Sequence, residues 1–212
     1  MKRRDAEFCR FIQELLGRYG GEKVLEVVVE AGHIYTNEQP GPEHHQSLEL
    51  GAELCQRLIR AGIRPVPVIF IDDYNPTETT LCQRTYLASA RGLGFDPAEV
   101  IMESEFVAGA EKIIELLNMV GQIDHNDGVV FTVSPKVCLQ KADGKLSCAA
   151  LDAAFYRYKF HKWPFAITVL PSDYKDQQRN TKRLLKLLGH KTLPMANVFF
   201  RRDGQLTFSF PA

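Results

Sequence analysis

Three short apolar runs, VVVE at 27–30, VIFI at 68–71 and AITVL at 166–170, constrain this chain more than any other feature. None of them alternates apolar with polar residues, so none reads as a strand with one wet face. A continuous, β-branched run of this length is what a parallel strand shows when helices cover both faces of its sheet. Amphipathic segments of helical period lie between the runs. The predicted order is helix 5–18, strand 24–30, helix 43–61, strand 65–71, helix 77–92, strand 99–103, helix 107–119 and a hairpin-like stretch 128–148. Helix 148–160, strand 165–170, helix 173–188 and a short strand 196–201 follow. This alternation predicts an α/β fold, doubly wound around a mostly parallel, Rossmann-like sheet. A chain of 212 residues, 45% of them hydrophobic, can bury one substantial core, and no Pro/Gly/Ser linker divides it. One domain over 1–212, with an N-terminal helix inside 1–20, is therefore expected.

The formal net charge is zero, but its distribution is lopsided. Residues 136–212 carry 14 Lys+Arg against 5 Asp+Glu, and residues 1–135 carry 12 against 21. A basic third invites a polyanion, and an acidic remainder suits a cationic substrate. Cys9, Cys55, Cys82, Cys138 and Cys148 are odd in number and contain no Cys-x-x-Cys pair. They read as small buried residues in a reducing compartment. The N-terminus lacks an apolar signal region, and no segment supplies the roughly 18 apolar residues of a membrane span. A cytoplasmic location is expected.

In open α/β sheets the ligand lies over the carboxyl ends of the strands, which makes the residues just after each strand the candidate site. The first strand ends in Glu30 and leads to His33, Tyr35 and His44; the second ends in Asp72, Asp73, Tyr74 and Asn75. Glu103-Ser104-Glu105 and Ser172-Asp173-Tyr174 close two later strands. A rim so rich in carboxylates fits a divalent-metal site, a pocket for a cationic substrate, or a set of helix N-caps.

The stretch Val24–Asn75 resembles the opening strand, loop, helix and strand of an arginyl-tRNA synthetase catalytic domain. Glu103-Ser104, the segment LLNMVGQI, then HNDGVVFTVS and KADGKLSCAALDAAF are similar, in order, to that family's Glu-Ser segment, acidic-Asp-Gly hairpin and Thr-Arg-Asp-x-Ala-Tyr helix. FAITVLPSDYKDQQRNTKRLLKLLG resembles its strand and helix ending in Lys-Leu-Met-Gly, and the likeness spans about residues 23–209. The resemblance implies a class I synthetase-like catalytic domain without an anticodon-binding domain. It places the acids that hold the arginine guanidinium at Glu103 and Asp152, within a substrate-binding set that also includes Asp73, Ser172 and Tyr174. A planar guanidinium with five donors is best matched by carboxylates accepting paired, charge-assisted hydrogen bonds.

The nucleotide-gripping positions differ from the family. The His-x-Gly-His turn reads Gly41-Pro42-Glu43-His44, and Asp203–Ser209 stands without lysine where the family has Lys-Met-Ser-Lys. Tyr35 and Tyr174 replace the family's Asn and amide, and Cys148 replaces an aromatic residue four positions before Asp152. The chain looks like the arginine-containing branch of the tRNA-dependent cyclodipeptide synthases. These join residues from charged tRNAs into a diketopiperazine and need no ATP, because the ester is already activated. The resemblance then implies arginyl-tRNA and a second aminoacyl-tRNA as partners, with neither cofactor nor resident metal. Glu30, His33, Tyr35 and His44 are the candidates for proton transfer. An arginine-activating ligase and a non-catalytic arginine- or tRNA-binding module are the alternatives. For tRNA contact, Arg179, Lys182, Arg183 and Lys186 recur at i, i+3, i+4 and i+7 beside Lys175, a stripe suited to phosphates.

Overall fold

The structure is a computed structural model that describes residues 2–19, 26–32, 34–35, 42–72 and 86–210, with backbone alone at 2–3, 34–35 and 72. His33, Gly41, Asp73 and most of the expected helix 77–92 lie outside the described residues. The described part forms α1 (Lys2–Tyr19), β1 (Glu26–Ala31), β2 (Ile34–Tyr35), α2 (Pro42–Arg60), β3 (Arg64–Asp72), α3 (helical over 86–92) and β4 (Glu99–Met102). These precede α4 (Val107–Met119), β5 (Ile123–Asn126), β6 (Val129–Thr132), β7 (Cys138–Gln140) and α5 (Cys148–Lys162). The last elements are β8 (Ala166–Pro171), α6 (Lys175–Leu187), β9 (Met195–Phe200) and β10 (Leu206–Ser209).

The chain divides into two compact units. Unit one comprises Met1–Met102, Phe160–Ser172 and Pro194–Ala212; unit two comprises Glu103–Lys159 and Asp173–Leu193. Unit one carries the large sheet, in which β4, β3, β1, β8 and β9 pair in parallel. β2 prolongs the line of β1 along β3, and β10 closes the far edge antiparallel to β9. The chain order across the sheet reverses between β1 and β8, as in a doubly wound Rossmann-like fold. This is the α/β architecture that the apolar runs predict.

Alternation within the strands explains why those runs are apolar throughout. Val27, Val29, Ala31, Ile69, Ile71, Ile167 and Val169 share one core with Phe8, Phe11 and Leu15 of α1 and Leu48, Leu54 and Leu58 of α2. The residues of opposite register, among them Val28, Val68, Phe70, Ala166 and Leu170, are buried as well. α2 can lie close on β1 because Gly51 has no side chain: a Cβ there would sit 2.5 Å from the Ala31 Cβ. Arg57 of α2 ties α1 through Asp5 and its own helix through Glu53.

Unit two is built on the β5–β6–β7 antiparallel sheet with α4, α5 and α6. The hairpin expected over 128–148 starts one strand earlier. Asp127 and Gly128 both have positive φ (49° and 78°) and form the two-residue loop that joins β5 to β6. β5 escapes a sequence reading because three of its four residues are polar and exposed. β10 was likewise not anticipated. The cysteine reading needs amending too, since Cys55 is buried, Cys138 and Cys148 are half-buried and Cys9 is exposed.

Candidate functional site

The carboxyl end of β1 is pinned by main-chain contacts. The N–H of Gly32 donates to Ser47 Oγ (2.9 Å), whose own hydroxyl donates to the carbonyl of Val169 on β8 (2.9 Å). Tyr86 Oη donates to the Gly32 carbonyl at 2.9 Å, and burial pushes the Tyr86 phenol well above its usual pKa. Gly32 has φ +70°, and a Cβ there would fall 2.1 Å from Tyr86 Oη. Only glycine fits this crossing, at the point where the chain leaves β1 for the ligand rim. Gly32, Ser47 and Tyr86 were not anticipated, because nothing local in their sequence marks them as partners.

Glu30, one residue from the end of β1, is only 4% exposed. It stands in register with Thr168 on β8, which stands in register with Asn197 on β9, so a buried polar row crosses three parallel strands. Thr168 Oγ1 donates to Glu30 Oε2 at 3.1 Å. A polar row inside an otherwise apolar sheet costs desolvation unless its members bond to one another. His44 is half-buried in the first turn of α2, beside Glu43. The Arg202 guanidinium donates to Glu43 Oε1 (2.7 Å), and Gln46 Nε2 donates to the Arg201 carbonyl (3.2 Å), so the β9–β10 turn is strapped to the start of α2. The backbone of Tyr35 pairs with Asp72 of β3.

Ser172 donates its hydroxyl to the Phe200 carbonyl at 3.0 Å. It does not cap α6, and neither does Asp173. The N-cap of α6 is Tyr174, without a side-chain cap bond, so the capping alternative for this part of the rim is not realised. Among the described residues no group of three or more His, Cys, Asp or Glu is placed to hold a metal ion.

In unit two, Glu103 opens a 3-10 turn (Glu103–Phe106) and is 7% exposed, while Asp152 on α5 is 6% exposed. The turn packs on α5 through Phe106 against Phe155, ring centroids 5.2 Å apart, each three residues beyond its acid. Every residue of α5 from Ala149 to Tyr156 is buried. Oδ2 of Asp152 accepts from Gln177 Nε2 (2.9 Å), Thr181 Oγ1 (3.3 Å) and Gln178 Nε2 (3.5 Å), all on α6. Tyr156 Oη donates to Gln178 Oε1 at 2.9 Å. Two turns beyond Asp152, the fully buried Lys159 lies over the rings of Tyr156 (3.7 Å) and Phe155 (4.1 Å). Projecting α6 as a helix would have flagged Gln178 and Thr181, which share the stripe of Leu184 and Leu185.

The opposite face of α6 carries the basic stripe. Lys175, Arg179, Arg183 and Lys186 are exposed, and Arg179 pairs with Asp176 at 2.8 Å. Lys182 departs from the expected solvent row, being half-buried, and burial together with the adjacent Lys186 lowers its pKa to about 8. No helix among the described residues is long and apolar enough to cross a membrane.

No family model and no curated protein sequence matches the chain. Solved structures do. A protein assigned as an arginyl-tRNA synthetase from Campylobacter jejuni aligns at TM-score 0.65 and 12% identity over 88% of this chain and 58% of that one. The arginyl-tRNA synthetase of Thermus thermophilus aligns at 0.63 and 15% over 89% and 51%. Tryptophanyl-tRNA synthetase from Aeropyrum pernix aligns at 0.56 and 14% over 90% and 52%. The chain thus spans about half the length of these proteins. Likeness at such identity establishes the fold alone, and because arginyl- and tryptophanyl-tRNA synthetases both share it, the fold by itself does not select arginine.

Proposed function

We propose that this chain is an aminoacyl-tRNA-dependent aminoacyltransferase of the cyclodipeptide synthase type, using arginyl-tRNA and a second aminoacyl-tRNA without ATP. The α-amine of one aminoacyl group attacks the ester carbonyl of the other, forming an amide C–N bond and breaking the C–O bond to its tRNA. The remaining amine then attacks the remaining ester, which closes the six-membered ring and frees the second tRNA. Each amine loses a proton and each leaving ribose hydroxyl gains one, so the reaction is redox-neutral. The reading assigns the guanidinium to Glu103 and Asp152 in unit two. It takes Glu30, His33, Tyr35 and His44 as the candidates for proton transfer. Asp73, Ser172 and Tyr174 are assigned to substrate contact, and the α6 stripe to the tRNA backbone.

The observation that carries the proposal is a contrast between Asp152 and the start of α2. Asp152 is a buried, multiply hydrogen-bonded acid, which supports the guanidinium reading, while the start of α2 presents Glu43, which engages Arg202, where a triphosphate would need uncompensated positive charge. The test supplies purified protein with arginyl-tRNA and a mixture of other aminoacyl-tRNAs, without ATP, and analyses the products by mass spectrometry. An arginine-containing diketopiperazine is expected. Arginine-dependent exchange between pyrophosphate and ATP would establish the ligase instead, and binding without product would establish the non-catalytic module.

A further inference from the structure

Asp152 does not sit in its helix as an isolated acid. Three α6 donors converge on the same oxygen, Oδ2, and one of them, Gln178, is itself held from α5 by Tyr156. The terminal torsion of an aspartate is broad and roughly two-fold, so packing alone leaves the carboxylate plane free to turn. A guanidinium reads that plane, because its two parallel N–H···O bonds form only when fork and carboxylate are coplanar. Donors fixed to a neighbouring helix therefore do more than offset the desolvation of a buried charge: they decide the direction from which the acid accepts a forked partner.

We propose that Gln177, Gln178 and Thr181 are positioning residues that orient the Asp152 carboxylate and thereby set the preference for a guanidinium over a neutral side chain of the same shape. The inference rests on the arginine-pocket reading above and adds the part of α6 in specificity. The distances rank the three. Gln177 Nε2, at 2.9 Å, makes the strongest contact. Thr181 has a single hydroxyl proton to divide between Asp152 Oδ2 (3.3 Å) and the Gln177 carbonyl (3.1 Å), and Gln178, at 3.5 Å, makes the longest contact.

The competing account is a latch in which the same bonds merely fasten α5 to α6. Calorimetric titration with L-argininamide and with L-citrullinamide, the neutral near-isostere, separates the two. The wild type should prefer argininamide. Gln177→Met should cut that preference about tenfold and Thr181→Val about threefold, the scale of one strong and one shared hydrogen bond to a charged group, while citrullinamide affinity changes little. Thr181→Ser, which keeps the hydroxyl, should restore the wild-type ratio. A latch predicts a lower melting temperature with the ratio unchanged in every variant, and that result would overturn the proposal. Gln177 is half-buried, so Gln177→Met should fold; if it does not, Gln178→Met and Thr181→Val make the same comparison. A wild type without any preference for argininamide would remove the pocket and this inference together. One that prefers argininamide yet makes no diketopiperazine would refute the synthase and leave the inference standing.

Discussion

Asp152 and Glu103 are each almost fully buried, and a buried carboxylate persists only where partners compensate for lost water. If both hold one guanidinium, Asp152→Asn or Glu103→Gln should each weaken arginine use by about 2–3 kcal/mol of transition-state binding, read from kcat/KM. The double variant should lose less than the sum, because the two contacts share a ligand. Gly32 gives a prediction independent of function. Alanine there meets both a left-handed backbone and the Tyr86 hydroxyl, so Gly32→Ala should cost about 2–4 kcal/mol in denaturant unfolding. Lys182, with its pKa lowered to about 8, is partly neutral in mildly basic solution. An RNA phosphate would favour its charged form, so binding should take up a proton. RNA affinity should then fall between about pH 7 and 9 more steeply than in Lys182→Arg, whose guanidinium stays charged throughout.

Among the elements, α6 has two faces with different tasks. Gln178, Thr181, Leu184 and Leu185 are buried, whereas Arg179, Arg183 and Lys186 face water. Charge reversal is therefore best made at the exposed three, because a glutamate at half-buried Lys182 would confuse folding with binding. The triple change to Glu should weaken tRNA binding and flatten its dependence on salt, with the melting temperature close to wild type. Unaltered affinity in filter binding would return the stripe to an ordinary solvated face. The unforeseen strands have a common cause. β5 (IDHN) is polar on both sides and β10 (LTFS) is a four-residue edge strand, so hydrophobic periodicity had little to act on. The Asp127-Gly128 turn was the usable signal, and it fixes the register of β5 on β6.

For the whole molecule, the parallel order β4-β3-β1-β8-β9 places the topological switch between β1 and β8, where ligands of this architecture bind. At the start of α2 the Glu43 carboxylate pairs with Arg202, and the function proposed above needs no nucleotide there. Nucleotide titration by calorimetry should detect no ATP binding in the micromolar range. Micromolar affinity, or formation of arginyl adenylate, would favour the ligase over the synthase.

The sequence by itself determined the sheet and its wrapping, because VVVE, VIFI and AITVL are short, rich in β-branched residues and apolar on both faces, a pattern local to each run that favours strands covered on both sides. The apolar neighbours of Asp152, Ala149 to Leu151 and Ala153 to Phe155, also mark it as an acid that needs a partner, whereas its link to a guanidinium came from the family resemblance and not from composition. The tertiary structure alone decided what surrounds these residues. Ser47 reaches Gly32 across 15 positions, Thr168 reaches Glu30 across 138, and Gln177 reaches Asp152 across 25. Hydrogen-bond partners so far apart in the chain leave no periodic trace, because a side chain's own sequence records its burial far better than the identity of the group it meets.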